Sequence, residues 1–297
     1  MPGSGRRCDG YRHGMTSEPD RSPEPLPDVS ELLDGLRVAP GSQVDLTTWA
    51  TRATFGLVKE DAPAELDATK RRIDLLQQRL FAEQQRSVLL VLQAMDAAGK
   101  DGTIRHILSG LNPQGIDVTG FKAPAGPELQ HDYLWRIHAA CPARGEIGVF
   151  NRSHYEDVLV VRVKGPVPQE VWSRRFRHIR DFEQMLVDEG TSVVKCFLHV
   201  SKEEQAERLR ERLEDPEKRW KFRLGDLDDR ELWDDYQRAF EDVLQETSTT
   251  SAPWYVVPAD RNWFRNLAVA KILLHTLEQV DPQLPSPEPG IERVTVV

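Results

Sequence analysis

Between an apolar run and a helical pattern lies Ala94-Met95-Asp96-Ala97-Ala98-Gly99-Lys100-Asp101-Gly102-Thr103. Small residues, a glycine and a lysine in that order suit an anion. Gly99 lets the backbone approach closely, N–H groups at a helix start point at the ligand, and Lys100 adds a point charge. Ala98, Gly99, Lys100, Asp101, Gly102 and Thr103 are the expected phosphate contacts. Two positions depart from the usual phosphate loop. Ala94 stands where a glycine is common, and Asp101 stands where a Ser or Thr hydroxyl normally holds Mg²⁺. Asp96 lies inside the loop. A carboxylate there repels phosphate unless a metal stands between them or it handles a proton. A plain strand–turn–helix with a solvated lysine has the same local features, so other segments must decide.

Three further groups carry charge in suggestive places. Phe150-Asn151-Arg152 ends an apolar run. In phosphate-loop enzymes the neighbouring strand usually ends in a Mg²⁺-holding carboxylate. Asn151 takes that place with no charge, and Arg152 is placed to fork onto phosphate oxygens. The segment RLRERLEDPEKRWKFR, residues 208–223, is dense in cations, among them Arg208, Arg212, Lys218 and Lys221. Arg208 and Arg212 share a helix face, and Asp215-Pro216 lets the rest fold back. Such a patch reads either as a mobile lid that excludes water or as a solvated helix of Glu–Arg pairs. Asp132 and Arg136, one turn apart on a helix, and Asp260 after the last strand are candidate nucleotide contacts, as is Asn151. Each of the first three has a structural alternative, an internal ion pair for Asp132 and Arg136 and a helix cap for Asp260.

The elements that position these groups follow from periodicity. A helix is expected over 64–85. Val88 to Leu92 reads as a strand buried on both faces. A helix follows the loop to Ser109, broken by Asn112-Pro113 and Gly115. Strands are expected at 116–121, 146–150, 191–200 and 254–257. Helices are expected over 127–137, 167–189, from Ser201 to Glu214, 228–246 and 262–279. Ser201 and Glu204 form a capping box. Strands alternating with helices imply an α/β fold with a parallel sheet covered on both faces. Ligands in such sheets bind beyond the carboxyl ends of the strands, where both candidate loops lie.

The chain has 297 residues, 29% of them charged, with a net charge of −9. That balance argues against general nucleic-acid binding but leaves room for a local basic channel. Cys8, Cys141 and Cys196 form no CxxC pair, and the histidines have no metal-ligand spacing. No apolar run approaches a membrane span, and the first residues lack the apolar core of a signal peptide. The expectation is a cytoplasmic protein. Residues 1–28 read as a disordered tail, 29–280 as one phosphotransferase domain with a lid at about 205–227, and 281–297 as a loose tail.

Together AMDAAGKDGT, FNRSHYEDVLVVRV, RLEDPEKRWKF and APWYVVPADRNW resemble the polyphosphate kinase 2 family, in order from about Val44 to Asp281. The resemblance implies a P-loop fold similar to thymidylate kinase, with a helical lid. It implies Mg²⁺-dependent phosphoryl transfer between inorganic polyphosphate and a nucleoside mono- or diphosphate, AMP or ADP, with GMP and GDP as further candidates. By motif, Asp96 corresponds to the family's acidic loop residue and would hold Mg²⁺. Lys100 corresponds to its phosphate-binding lysine, and Arg152 to its arginine after the third strand. Asn151 departs from the Asp of many members, and Arg261 stands where Lys is common. Assembly as a dimer or tetramer is implied too. An ATP-dependent nucleotide kinase and a non-catalytic polyphosphate-binding module are the competing readings.

Overall fold

The computed structural model describes residues 29–296; the tail expected at 1–28 lies outside them. The elements run α1 (Ser30–Leu36), α2 (Ala62–Glu83), β1 (Ser87–Gln93), α3 (Lys100–Leu108), β2 (Ile116–Gly120), α4 (Trp135–Ala139) and β3 (Ile147–Asn151). Then come α5 (Glu156–Val163), α6 (Gln169–Asp188), β4 (Thr191–His199), α7 (Lys202–Glu214), α8 (Gly225–Glu231), α9 (Trp233–Thr247), β5 (Trp254–Pro258) and α10 (Asn262–Val280).

The apolar run at Val88–Leu92 forms the central strand of a five-stranded sheet with order β2-β3-β1-β4-β5. All its pairings are parallel. Every residue of β1 is buried, as a strand covered on both faces requires. α2 and α10 pack against each other, and α5, α6 and α9 form a second group of mutually packed helices. One continuous apolar core joins sheet and helices. The register sets Leu92 opposite Asn151. The ends of β1 and β3 are therefore level, and the loops that follow them open side by side. Among the described residues, no helix is long and apolar enough to cross a membrane.

Two expected helices differ in detail, and one helix forms where none is expected. The helix expected over 127–137 is a 3₁₀ turn at Gly126–Gln130 and a separate α4. Glu128 turns back to accept the Ala125 N–H, and Asp132 accepts the Leu134 N–H, so local side-chain bonds replace helical ones. The helix expected over 228–246 divides at Leu232 into α8 and α9. The apolar stretch Val158 to Val163, for which no helix was expected, lies within α5, and α6 begins only after Pro168.

Candidate active site

The turn after β1 needs left-handed backbone twice. Ala97 has φ 64° and Gly99 has φ 104°, and Gly99 caps α3. For alanine that conformation costs energy and persists only where the surroundings enforce it. Lys100 folds back over the loop. Its Nζ donates to the carbonyl of Ala94 at 2.9 Å and lies 3.5 Å from that of Met95. Burial first and then Arg152 lower the ammonium, against the opposing pull of Asp96, Glu156 and Asp101, to about 8. A site that destabilises its own lysine charge welcomes an anion.

Asp96 meets Arg152 across the gap between β1 and β3, with Nη2 donating to Oδ1 at 2.5 Å. Arg152 has φ 63°, and its Nη1 also donates to Glu156 Oε2 at 3.5 Å. Burial pushes the Asp96 carboxyl up, but Lys100, then Arg152 and Arg212, outweigh it and hold it below its ordinary range. Burial dominates at Glu156, whose carboxyl is raised despite Arg152 and Lys100. Two carboxylates of one cluster thus have their proton affinities driven apart. Asn151 donates from Nδ2 to Asp101 Oδ1 at 2.7 Å. The two residues that depart from the common pattern are therefore hydrogen-bonded partners.

The structure brings Asp96, Lys100, Arg152, Asp101 and Asn151 together. Gly99 and Gly102 lie beside them in the loop and first turn of α3. Thr103 differs from expectation. Its buried hydroxyl accepts from Arg265 Nε at 2.7 Å and donates to Asn266 Oδ1 at 3.2 Å, so it faces the interior. The cations of 208–223 separate into classes. Arg208 donates to the carbonyls of Ala97, Ala98, Ala259 and Asp260 and to Glu204, so it holds backbone instead of offering a free guanidinium. Arg212 lies 3.6 Å from Asp226 and acts on Asp96 electrostatically. Lys218 pairs with Asp215 at 2.9 Å, and Lys221 lies over the Trp220 ring; both are exposed.

Of the nucleotide candidates, Asp132 and Arg136 line one cavity of about 530 Å³ with Tyr133, Asp157, Arg174 and Arg175. They do not pair with each other. Arg136 donates to Lys122 O at 2.8 Å and to Glu128 at 3.2 Å. The Tyr133 hydroxyl is buried without a partner, and Arg175 lies over its ring at 4.6 Å. Asp260 is buried elsewhere. It accepts from Thr51 Oγ1, Ser201 N and Ser201 Oγ, which fixes the start of α7 and commits the carboxylate to structure.

Glu156, Tyr133 and Arg265 were not singled out in the sequence. Glu156 had a signal, since it stands four residues after Arg152 at a helix start. Arg265 reaches the loop from more than 160 positions away, and no local pattern announces that.

A profile of the polyphosphate kinase 2 family matches residues 56–285. An AMP/ADP-polyphosphate phosphotransferase of Meiothermus ruber is 55% identical over 262 residues, covering 88% of this chain and 98% of that protein. An ADP-polyphosphate phosphotransferase of Rhodopseudomonas palustris is 47% identical over 268 residues, covering 86% and 93%. The crystal structure of polyphosphate kinase 2 from Arthrobacter aurescens superposes with a TM-score of 0.84 at 42% identity, covering 89% of this chain and 94% of that one. A match across most of the chain, on the same phosphate-loop architecture, makes this protein a member of the polyphosphate kinase 2 family.

Proposed function

We propose that this chain transfers a phosphoryl group between inorganic polyphosphate and a nucleoside mono- or diphosphate. The observation that carries the reading is the cluster Asp96–Arg152–Lys100 at the level ends of β1 and β3. Glu156 of that cluster is followed by Asp157, which lines the 530 Å³ cavity. A donor chain on the loop and an acceptor in the cavity are thereby neighbours. In-line transfer asks for little covalent chemistry from the protein, so positioning and charge neutralisation dominate.

In this scheme the amides of residues 99–102 and Lys100 cradle the donor phosphates; the Ala98 and Thr103 N–H groups, also expected there, are taken by the carbonyls of Met95 and Gly99. Arg152 neutralises charge on the transferring group, while Arg212 and the exposed Lys218 and Lys221 belong to a lid at about 205–227. The acceptor nucleoside occupies the cavity, with Tyr133 supplying the unmatched hydroxyl and Arg136, Arg174 and Arg175 the positive charge.

Among the described residues, no group of three or more His, Cys, Asp or Glu could hold a metal alone. That fits Mg²⁺, which is commonly held by one or two carboxylates and the substrate's phosphates. Asp96 would hold it, with Asp101 nearby. When bound it neutralises phosphate charge.

The test supplies AMP or ADP with either polyphosphate or ATP as sole donor and follows the new diphosphate or triphosphate. Turnover with polyphosphate alone is expected. Turnover with ATP only, or polyphosphate binding without turnover, refutes the proposal.

A further inference from the structure

Arg265, in the first turn of α10, is 3% exposed. Its Nε donates to Thr103 Oγ1 at 2.7 Å. Its Nη1 donates to Ala98 O at 2.9 Å and Asn262 Oδ1 at 2.7 Å, and Nη2 donates to Asn266 Oδ1 at 3.0 Å. Every one of these acceptors is neutral. Among the described residues, no carboxylate forms an ion pair with it, and the neighbouring charge it feels is another cation, Arg208. The two guanidiniums share the carbonyl of Ala98. A buried charge without a counter-charge is costly unless something else supplies one.

The loop is thin at this point. A Cβ added to Gly99 would lie 2.1 Å from Arg265 Nη1 and 2.6 Å from its Cζ. The glycine thus serves two surfaces. On the groove side it admits an anion to the backbone, and on the inner side it admits the guanidinium.

We infer that Arg265 is a positioning residue for polyphosphate, which holds the Ala98 carbonyl inward and sends an uncompensated positive charge through the glycine wall of the loop. The inference rests on the reading that polyphosphate occupies this loop. The cavity proposed for the acceptor is lined by residues between 124 and 178 and by none of α10, so the donor alone should feel Arg265. Phosphate binding supplies the counter-charge that the fold withholds.

Two variants test this. Asn266→Asp puts a carboxylate of nearly the same shape on Arg265 Nη2 and leaves the guanidinium in place. Arg265→Met removes the charge at similar length. Each is compared with wild type by melting with and without tripolyphosphate, and by KM for polyphosphate and for ADP. Asn266→Asp is expected to melt higher than wild type without anion, because the charge is now paired. Its stabilisation by tripolyphosphate should fall by about half or more, and KM for polyphosphate should rise by about tenfold. KM for ADP should stay within about twofold. Arg265→Met, if folded, should raise KM for polyphosphate similarly. If it does not fold, Asn266→Asp decides alone. An Asn266→Asp variant with wild-type polyphosphate KM and tripolyphosphate response makes Arg265 a packing residue and overturns the inference. So does a lower melting point for that variant without anion. Failure of the underlying reading looks different: wild type itself would neither turn over polyphosphate nor be stabilised by tripolyphosphate.

Discussion

Lys195 lies in the middle of β4 and is fully buried, and its three ammonium protons all have acceptors. Nζ donates to Glu183 Oε2 at 2.6 Å, Thr247 O at 2.7 Å and Tyr155 Oη at 3.1 Å. Glu183 is equally full. Its Oε1 accepts from Tyr155 Oη at 2.7 Å and from His154 Nε2 at 3.2 Å. His154 and Tyr155 belong to the elbow that carries Arg152 and Glu156, so this network backs the site from behind. Lys195→Met leaves a buried carboxylate without its cation and the Thr247 carbonyl without its donor. Breaking a buried pair in this way costs about 3–5 kcal/mol. In a chain of this size that lowers the melting temperature by about 5–8 °C. Adding Glu183→Gln removes the stranded charge, and the amide oxygen can still accept from Tyr155 and His154. The double variant should therefore recover about 2 kcal/mol relative to the sum of the single changes. Urea titration and thermal melting of the two single variants and the double measure this. A Lys195→Met loss under about 1 kcal/mol, or a double variant at or below the sum, would falsify the claim that these groups are mutually dependent.

Three other outcomes follow from the site. Asp96→Asn should lower kcat by about a hundredfold, about 3 kcal/mol, with little change in melting temperature; full activity at saturating Mg²⁺ removes the carboxylate from the chemistry. Lys100 is held near 8 by burial and then by Arg152. In the free enzyme its charge is therefore lost as pH rises through that value, and kcat/KM for polyphosphate should fall above it. Bound phosphate favours the ammonium, so kcat at saturating polyphosphate should persist to higher pH; parallel profiles refute this. The same depression makes Lys100 a destabilising group at neutral pH, with its contribution to folding improving between pH 8 and its unfolded value. Arg208→Lys cannot reach four carbonyls on two loops with a single ammonium. It should cut kcat/KM by about tenfold and lower the melting temperature by a few degrees, and a lysine variant with wild-type values would make those contacts dispensable.

The parts of the fold that could be read from the chain were those with local causes. The Val88–Leu92 run reads as a strand covered on both faces, and β1 is that strand. The Gly99-Lys100 pair at a helix start is a local pattern, and so is the Ser201 cap, where the serine hydroxyl accepts the Glu204 N–H; the return half of the expected capping box does not form, because the Ser201 N–H donates to Asp260 and the Glu204 carboxylate accepts from Arg208. What escaped was decided at long range or by competing side-chain bonds. Asp132 and Glu128 capture main-chain N–H groups and undo the helix that periodicity suggests at 127–137. The charge density of 208–223 gave no hint that Arg208 would bind backbone while Lys218 and Lys221 stay outside. Likewise Thr103 looked like a loop hydroxyl until Arg265, far along the chain, turned out to bind it.

The grip of Arg208 also limits what can move. Its guanidinium bonds the loop after β1 and the loop after β5 together, and Asp260 fastens the first residue before α7. The base of this arm is therefore riveted to the floor of the groove. Any swing must pivot farther out, past Leu209, with Asp215-Pro216 as the natural elbow. With that elbow, a moving arm would carry Lys218 and Lys221 toward or away from a guest, while Arg212, on the α7 side of the elbow, would stay with the cradle.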